Sequence, residues 1–363
     1  MGVMGTTNPS SGGCLSAQRD HPLAEDLEQV LAETRDLWEE LRGQRIFITG
    51  GTGFFGTWLL ESFAWANARL DLHASAVVLT RNPDGFRRKA PHLAFNPAIQ
   101  FHVGDVRSFE FPLGTFSHVI HAAAEASARM KEEEPLTICD NLVLGTRRTL
   151  EFARTCGARK FLLTSSGAVY GKQPADLLQV PEEYLGGLDS ASPDSALGEG
   201  KRVAELLAVA YAKQFGLGVK MARCFAFVGP YLPLDAHFAV GNFIRDGLHG
   251  GPIRVTGDGT PYRSYLYSAD LTSWLWTILF RGAVSRPYNV GSSDALTIAD
   301  LAHVVATIFT PTVSVTIAKP PSPQTAAERY VPSVARARSE LGLQQHISLS
   351  EAIRRTARWY GDR

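Results

Sequence analysis

Residues 46–56 read Ile46-Phe47-Ile48-Thr49-Gly50-Gly51-Thr52-Gly53-Phe54-Phe55-Gly56, a β-branched and aromatic run that enters a glycine-rich turn. The pattern predicts a strand, a tight turn and then a helix that begins near Phe55. In such a turn Gly50 permits the bend, Gly53 lets the backbone approach a pyrophosphate and Gly56 allows the helix to pack closely on the strand. Because a helix N-terminus favours negative charge, these residues predict a dinucleotide-binding site.

Six short apolar runs have the length and composition of strands in a parallel sheet. They are Arg45 to Thr49, Ala76 to Thr80, Ile99 to Val103, His118 to His121, Lys160 to Thr164 and Val219 to Cys224. Helical patterns alternate with these runs, which is typical of a sheet covered on both faces. The sequence therefore predicts an α/β protein with a Rossmann-type doubly wound parallel sheet.

Composition and periodicity divide the rest of the chain. Gly, Ser, Thr and Asn dominate the first residues, an apolar stripe of helical spacing follows, and segments rich in Pro and Gly come after the predicted sheet. The predicted parts are a flexible tail (1–20), an N-terminal helix (21–44), a dinucleotide-binding domain (45–225, with 264–293 returning to it) and a smaller interwoven substrate lobe (226–263 and 294–363).

The overall composition excludes several classes of protein. The chain has 363 residues, 36 basic and 36 acidic side chains and 45% apolar content, so it is long and apolar enough to bury a large core. A formal charge of zero gives no field to recruit nucleic acid or anionic lipid. No apolar run approaches the roughly 18 residues of a membrane span, and no secretion signal is evident. We therefore expect a cytoplasmic protein that binds neither nucleic acid nor membrane.

Metal binding is not expected either. The four cysteines are far apart and none forms a CxxC pair, so neither a zinc site nor a disulfide framework is indicated.

Further motifs follow the glycine-rich turn in a fixed order. They are Gly104-Asp105-Val106, His121-Ala122-Ala123-Ala124, Asn141 with Gly145-Thr146, Ser165-Ser166-Gly167-Ala168-Val169-Tyr170-Gly171, Gly229-Pro230, Arg263 to Leu271 and Tyr288-Asn289-Val290-Gly291. With the GxxGxxG spacing of the turn, they resemble the extended short-chain dehydrogenase/reductase family of nucleotide-sugar epimerases and dehydratases. The resemblance covers the chain from about Arg45 onward. It implies a tightly bound NAD or NADP, a nucleotide-sugar substrate and a homodimer.

The resemblance also implies which residues hold the cofactor. They are Gly50, Thr52, Gly53, Phe54, Phe55, Gly56, Arg81, Asn82, Asp105, Val106, Ala122, Ala123, Ala124, Asn141, Thr164, Ser165 and Lys201. At the end of the second strand, where NAD-preferring proteins carry a carboxylate for the ribose, this chain has Thr80-Arg81-Asn82. Arg81 suits the 2′-phosphate of NADP or stacking on the adenine of NAD. The family's epimerases mostly keep NAD, so both cofactors stay open.

One catalytic residue of the family is missing. The resemblance implies a Tyr-x-x-x-Lys pair on one helix face, in which the tyrosine moves the proton of the sugar hydroxyl while hydride leaves carbon. The lysine is Lys201, but the tyrosine position holds Leu197, which cannot transfer a proton. Ser166 matches the family's sugar-binding serine or threonine. A water held by Ser166 and Lys201, or the carboxylate of Glu125, is the alternative proton carrier.

A second departure concerns the reaction. The family's 4,6-dehydratases carry Asp-Glu directly after the serine or threonine, and the related decarboxylases keep the Glu, whereas this chain has Gly167-Ala168. The resemblance therefore favours an epimerase or oxidoreductase acting near C4 of an NDP-hexose through a transient keto intermediate. Two alternatives are a 4,6-dehydratase with displaced acid and base groups and a catalytically impaired, cofactor-binding pseudoenzyme.

Substrate binding is expected in the smaller lobe. Arg263 matches the family's diphosphate-binding arginine, and a guanidinium fork suits two phosphate oxygens. Asn242 and Phe243 resemble the segment beneath the nucleotide, and Arg329 is a second candidate for the phosphates. Ser166 is expected to bind the sugar.

Overall fold

The computed structural model describes residues 21–124, 133–236, 238–322 and 326–362. The strands of this part of the chain are β1 (Arg45–Thr49), β2 (Ser75–Thr80), β3 (Ile99–Val103), β4 (His118–His121), β5 (Lys160–Ser166), β6 (Gly218–Cys224), β7 (Phe227–Val228), β8 (Ile253–Val255), β9 (Tyr262–Arg263), β10 (Leu266–Tyr267), β11 (Pro287–Val290), β12 (Leu296–Thr297), β13 (Val315–Ile317) and β14 (Arg329–Tyr330).

The helices of the described residues lie mostly between these strands. They are α1 (Ala24–Thr34), α2 (Phe54–Arg69), α3 (Pro83–Lys89), α4 (Pro91–Ala94), α5 (Pro135–Thr155), α6 (Ala196–Phe215), α7 (Ala239–Leu248), α8 (Ser268–Arg281), α9 (Ile298–Ala306), α10 (Ala335–Leu341) and α11 (Leu349–Gly361), with 3₁₀ segments at Arg35–Leu41, Gly167–Tyr170 and Pro193–Ser195.

Seven parallel strands form the main sheet in the order β11-β6-β5-β4-β1-β2-β3. The strand order reverses between β1 and β4, and in open α/β sheets ligands bind outside the carboxyl ends of the strands at this point. The predicted doubly wound parallel sheet is confirmed. All six predicted strands are present, and β11 adds a seventh at the edge beside β6.

The N-terminal helix packs against the body of the same chain. Leu27, Val30 and Leu31 are buried in the largest apolar cluster. The α-helix ends at Thr34 and continues as a 3₁₀ segment. The Thr34 hydroxyl donates to the Val30 carbonyl (2.5 Å) and accepts from the indole of Trp38 (2.8 Å), and such back-bonding disturbs regular helix geometry.

The C-terminal helix α11 joins the two ends of the chain. Its Arg355 pairs with Glu25 and Asp26 of α1, and its Tyr360 hydroxyl donates to the Leu232 carbonyl (2.6 Å). A small sheet, β12-β9-β14, lies outside the main sheet and carries Arg263 and Arg329. The division of the chain into domains stays a prediction. None of the described helices combines the length and the apolar character that crossing a membrane requires.

Candidate functional site

A cavity of about 460 Å³ opens at the carboxyl ends of β1, β2 and β4. Many of the predicted cofactor residues line it, namely Gly50, Thr52, Gly53, Arg81, Asn82, Asp105, Val106, Ala122, Ala123, Ala124 and Asn141. The lining also contains residues that the sequence analysis did not assign to the cofactor, which are Leu79, Thr80, Gly85, Phe86, Lys89 and Gly104. The cavity therefore lies at the switch point of the sheet, where a dinucleotide is expected.

The glycine-rich turn is shaped by close backbone contacts. Gly50 has a φ of +70°, and a Cβ there would lie 2.5 Å from the Ala122 carbonyl carbon. A Cβ on Gly56 would lie 2.3 Å from the Gly50 oxygen, whereas a Cβ on Gly53 would meet only that same oxygen, at 3.3 Å. Protein packing thus requires glycine at positions 50 and 56. At Gly53 the open space lies on the cavity side, where it leaves room for a phosphate.

Helix α2 presents its N-terminus to this cavity. Gly53 is its N-cap, and no side chain caps the first turn. The unpaired backbone N–H groups of a helix start, together with the helix dipole, form an anion site. These observations fit the pyrophosphate of a dinucleotide.

Lys89 adds a cation beside the turn. Its ammonium donates to the Thr52 carbonyl (3.1 Å) and to the Thr57 hydroxyl (3.2 Å). Burial lowers the pKa of Lys89 to about 8. The position was missed because Lys89 lies in the last turn of a short basic helix, and its reach back to Thr52 depends on the tertiary fold.

Arg81 and Asp105 line the cavity just beyond the carboxyl ends of β2 and β3. The Asp105 carboxylate accepts two hydrogen bonds from the guanidinium of Arg107, at 2.8 and 3.0 Å, and one from its amide. These bonds hold the pKa of Asp105 below its usual value, with a smaller contribution from the charge of Arg81. Asn82 accepts from the Gly85 amide and caps helix α3.

Lys201 lies at the carboxyl end of β5. It is 4% exposed, and its ammonium donates to the Thr164 carbonyl (2.6 Å). Burial lowers the pKa of Lys201 to about 8. The amine is therefore held in one place and remains mostly protonated at neutral pH.

Ser165 points to the face of β5 that packs on α6, opposite to the side chains of Thr164 and Ser166, as alternation along a strand requires. Its hydroxyl donates to Glu205 (2.5 Å), which is also paired with Arg223 (2.7 Å). The Ser165 side chain is thus engaged away from the cavity, and only its backbone is left for the predicted cofactor contact.

Leu197 lies one helical turn before Lys201 on α6 and is half-buried. Residues four apart lie on the same helix face, so Leu197 stands where the family's tyrosine is expected. Ser166 caps the 3₁₀ segment that follows β5, accepting a hydrogen bond from the Ala168 amide (3.1 Å). Glu125, the other predicted proton carrier, lies outside the described residues.

His121 is a buried side chain on β4. Its two ring nitrogens are hydrogen-bonded to the hydroxyls of Thr49 (2.7 Å) and Thr146 (3.0 Å). Burial, with a smaller effect of the nearby Lys201 charge, lowers its pKa to about 3. The ring is neutral and ties β4 to β1 and α5.

The predicted substrate residues lie in different surroundings. Arg263 is 27% exposed, donates to the Tyr262 carbonyl and pairs with Glu328 (3.6 Å), while the Arg329 guanidinium stacks 4.0 Å from the Tyr262 ring centroid. Asn242 is half-buried on α7, and Phe243 is 3% exposed within the apolar core. The structure therefore brings the two arginines onto adjacent strands, whereas Phe243 packs inward.

Two groups of side chains in the described residues have metal-ligand chemistry, His21 with Glu61 and His92, and Glu33 with Asp270 and His346. In the first group the Leu23 amide donates to Nδ1 of His21, so the proton of that ring is on Nε2, which faces Glu61. Glu61 also accepts from the Tyr231 hydroxyl (2.5 Å). Hydrogen bonds to the buried carboxylate of Glu61 therefore account for the arrangement of this first group.

The comparison with known proteins places the chain in a family. Residues 46–291 match the model of the NAD dependent epimerase/dehydratase family. UDP-glucuronic acid decarboxylase 1 of Arabidopsis thaliana is 32% identical over 313 residues, which are 86% of this chain and 68% of that protein. UDP-glucuronic acid decarboxylase 5 of the same plant is 30% identical over 309 residues, which are 85% and 87% of the two chains.

Solved structures share the fold. The dTDP-glucose 4,6-dehydratase DesIV of Streptomyces venezuelae, solved with NAD and TYD bound, has a TM-score of 0.73, is 25% identical and covers 88% of this chain and 97% of its own. A UDP-galactose 4-epimerase has a TM-score of 0.68 at 26% identity, with 88% and 99% covered. On this evidence the resemblance seen in the motifs is confirmed, and the chain belongs to the NAD dependent epimerase/dehydratase family.

Proposed function

We propose that the chain is an NAD(P)-dependent nucleotide-sugar epimerase or oxidoreductase that acts near C4 of an NDP-hexose through a transient keto intermediate. The observation that carries the proposal is the place of Lys201. Its buried ammonium is fixed on the Thr164 carbonyl, two residues before Ser166 on β5. A cation fixed there suits the nicotinamide ribose, and Ser166 beside it suits the sugar hydroxyl.

The cavity residues fit a dinucleotide. We propose that the backbone at Gly53 and the Lys89 ammonium hold the pyrophosphate and that Asp105 and Arg81 flank the adenosine. We further propose that Lys201, fixed on the Thr164 carbonyl, holds the nicotinamide ribose. When bound, the cofactor accepts and returns a hydride. The family is NAD dependent. Since β2 ends in Thr80-Arg81-Asn82 without a carboxylate, the site also admits the 2′-phosphate of NADP.

The reaction type follows from what the sugar site lacks. The relatives named above are decarboxylases, and one structural neighbour is a 4,6-dehydratase. Residues Gly167 and Ala168 supply neither acid nor base directly after Ser166. This favours epimerisation or ketone reduction over dehydration and decarboxylation.

A second candidate is a cofactor-binding pseudoenzyme, and Leu197 favours it. Losing a positioned general base costs about 10²- to 10⁴-fold in rate. A chain that keeps the pocket without the base is well suited to a binding or regulatory role.

We also propose that the protein forms a homodimer through α5 and α6. Several apolar side chains on these helices are exposed, among them Leu144 (47%) and Leu206 (68%). The apolar stripe of α1, in contrast, is already buried in its own chain. A monomeric sedimentation profile would contradict the dimer.

The test compares the parent chain with Leu197→Tyr and with Leu197→Phe, which adds similar bulk but no hydroxyl. Each protein, loaded with cofactor, is incubated with a panel of nucleotide hexoses in heavy water, and products are identified by mass spectrometry and NMR. We expect Leu197→Tyr, but not Leu197→Phe, to raise turnover by up to about 10²- to 10⁴-fold.

The position of the label separates the reactions. An unlabelled C4 isomer supports the proposed function, whereas deuterium at C5 points to elimination or C5 epimerisation. If cofactor-loaded Leu197→Tyr stays at the parent rate, the missing tyrosine does not limit the reaction. If none of the three proteins forms a product, the result favours the cofactor-binding pseudoenzyme.

A further inference from the structure

Two other side chains could in principle replace the proton-transferring tyrosine, but their hydroxyl and thiol groups are hydrogen-bonded or buried. The Tyr170 hydroxyl donates to Asn289 (2.7 Å) and accepts from Arg223 (2.9 Å). Cys224 is 5% exposed, and burial raises the pKa of its thiol to about 12, against a smaller opposite effect of Lys201. Neither group is placed to exchange a proton with a sugar.

Tyr330 has a different position. It lies on β14, which pairs in parallel with β9 so that Tyr330 stands beside Arg263. Its phenolic oxygen lies 2.8 Å from the point where a Cβ on Gly167 would be. The hydroxyl and the Phe225 ring thus share the space in which a side chain directly after Ser166 would lie.

The surroundings hold the phenol there. Its ring packs on Phe225, with centroids 4.7 Å apart. Burial raises the pKa of Tyr330 to about 12, while the nearby Ser166 hydroxyl and the charge of Arg263 oppose that rise. At neutral pH the group is therefore a neutral phenol beside the residue expected to bind the sugar oxygen, with a cation on the adjacent strand.

We propose that Tyr330 is the proton donor of the sugar site in ketone reduction, donating through its hydroxyl the proton that Leu197 cannot supply. The assignment rests on the proposed function. Because a neutral phenol is ready to donate, it suits the reduction of a keto sugar, and the preferred substrate class is an NDP-4-keto-hexose. Such a ketone is the product of a reaction that oxidises C4, so an enzyme of that class must supply it.

In the proposed step, the keto carbon would gain a hydride from a bound reduced nicotinamide dinucleotide, and the electron pair of the C=O π bond would take the phenolic proton of Tyr330. A C–H and an O–H bond would form, the dinucleotide would be oxidised, and the sugar would be reduced to the alcohol. The tyrosinate left behind lies beside Arg263 and recovers a proton from water.

The activity test uses Tyr330→Phe, which keeps the ring on Phe225 and removes only the hydroxyl. The control is Tyr211→Phe, since Tyr211 lies ten residues beyond Lys201 on α6, about 15 Å along the helix, and bonds to Glu151. With UDP-4-keto-glucose and reduced dinucleotide, we expect Tyr330→Phe to lose about 10²- to 10⁴-fold in turnover and the control to lose none. In the double variant Leu197→Tyr with Tyr330→Phe, turnover returns. Parental turnover in Tyr330→Phe would overturn the assignment.

A second readout needs neither turnover nor cofactor. Calorimetric titration with UDP-glucose at neutral pH is compared between the parent, Tyr330→Phe and the control Tyr211→Phe. We expect the affinity to fall in Tyr330→Phe and not in the control, because the phenol hydroxyl is proposed to contact the sugar oxygen. Equal affinity in the parent and Tyr330→Phe would place Tyr330 away from the sugar and overturn the proposal. If the parent binds no nucleotide sugar, the proposed function itself fails.

Discussion

Replacing Gly53 with Asp separates cofactor binding from folding. Gly53 has φ −76° and ψ −174°, a conformation open to any residue, and it is the N-cap of α2. Asp is a better N-cap than Gly by a few tenths of a kcal/mol, and its Cβ would meet only the Gly50 oxygen, at 3.3 Å. We therefore expect the cofactor-free variant to melt within about 3 °C of the parent.

Cofactor binding responds in the opposite way. An Asp carboxylate at the N-cap accepts hydrogen bonds from the backbone amides of the first turn, which are then lost to the pyrophosphate. It also places a negative charge about 4 Å from the expected position of the pyrophosphate. At an effective dielectric constant of about 20, that repulsion costs about 4 kcal/mol per charge pair. That energy corresponds to a loss of about 10³-fold in dinucleotide affinity. Gly53→Asn, which keeps the shape without the charge, is expected to lose less.

The assay combines thermal melting of the cofactor-free protein with calorimetric titration by NAD and NADP. As a contrast, Gly56→Ala puts a methyl group 2.3 Å from the Gly50 oxygen, so overpacking should cost about 1–3 kcal/mol of unfolding free energy. Tight dinucleotide binding by Gly53→Asp would refute the assignment of the turn to the pyrophosphate. A large loss of stability in that variant would refute the geometry of the helix start.

Two further predictions concern pH. Lys201 has a pKa lowered by burial to about 8, so dinucleotide affinity measured by calorimetry should fall as pH rises through about 8, and Lys201→Met should show weaker binding without this step. His121 has a pKa lowered to about 3 by burial, so the unfolded chain binds the extra proton, and unfolding free energy from denaturant titration should fall by up to about 5 kcal/mol as pH drops from about 6.5 toward 3. His121→Asn should flatten the dependence of the unfolding free energy on pH, and an unchanged dependence would contradict the role given to His121. A Lys201→Met variant whose dinucleotide affinity depends on pH as in the parent would contradict the role given to Lys201.

Local sequence patterns were enough for the centre of the fold. The runs Arg45–Thr49, Ile99–Val103 and His118–His121 are strands with the predicted bounds, because each is short, apolar and followed by turn or loop residues. Pro287–Val290 was recognised only as a motif. With a proline and a buried asparagine it lacks the apolar pattern of a strand, and its pairing with β6 is a tertiary contact.

Site residues that are close together in the sequence could likewise be predicted, whereas those brought in by the tertiary fold could not. Gly50 and Gly53 were recognisable because the strand, the turn and the helix are contiguous in sequence. Lys89 and Tyr330 reach the site from distant segments, the latter through the two-residue strand β14, so no local spacing identifies them. Ser165 was named from a motif, but strand alternation turns its hydroxyl to Glu205.

The proposed hydride exchange with a nucleotide sugar at C4 can be measured with an isotopic label. An NDP-hexose carrying deuterium at C4 is mixed with the parent chain and with Leu197→Tyr, each loaded with oxidised cofactor, and the nicotinamide is recovered for mass spectrometry. We expect deuterium on the reduced nicotinamide in Leu197→Tyr and a slower, measurable transfer in the parent. Bound nucleotide sugar with no label on the cofactor of either protein would contradict the proposed exchange.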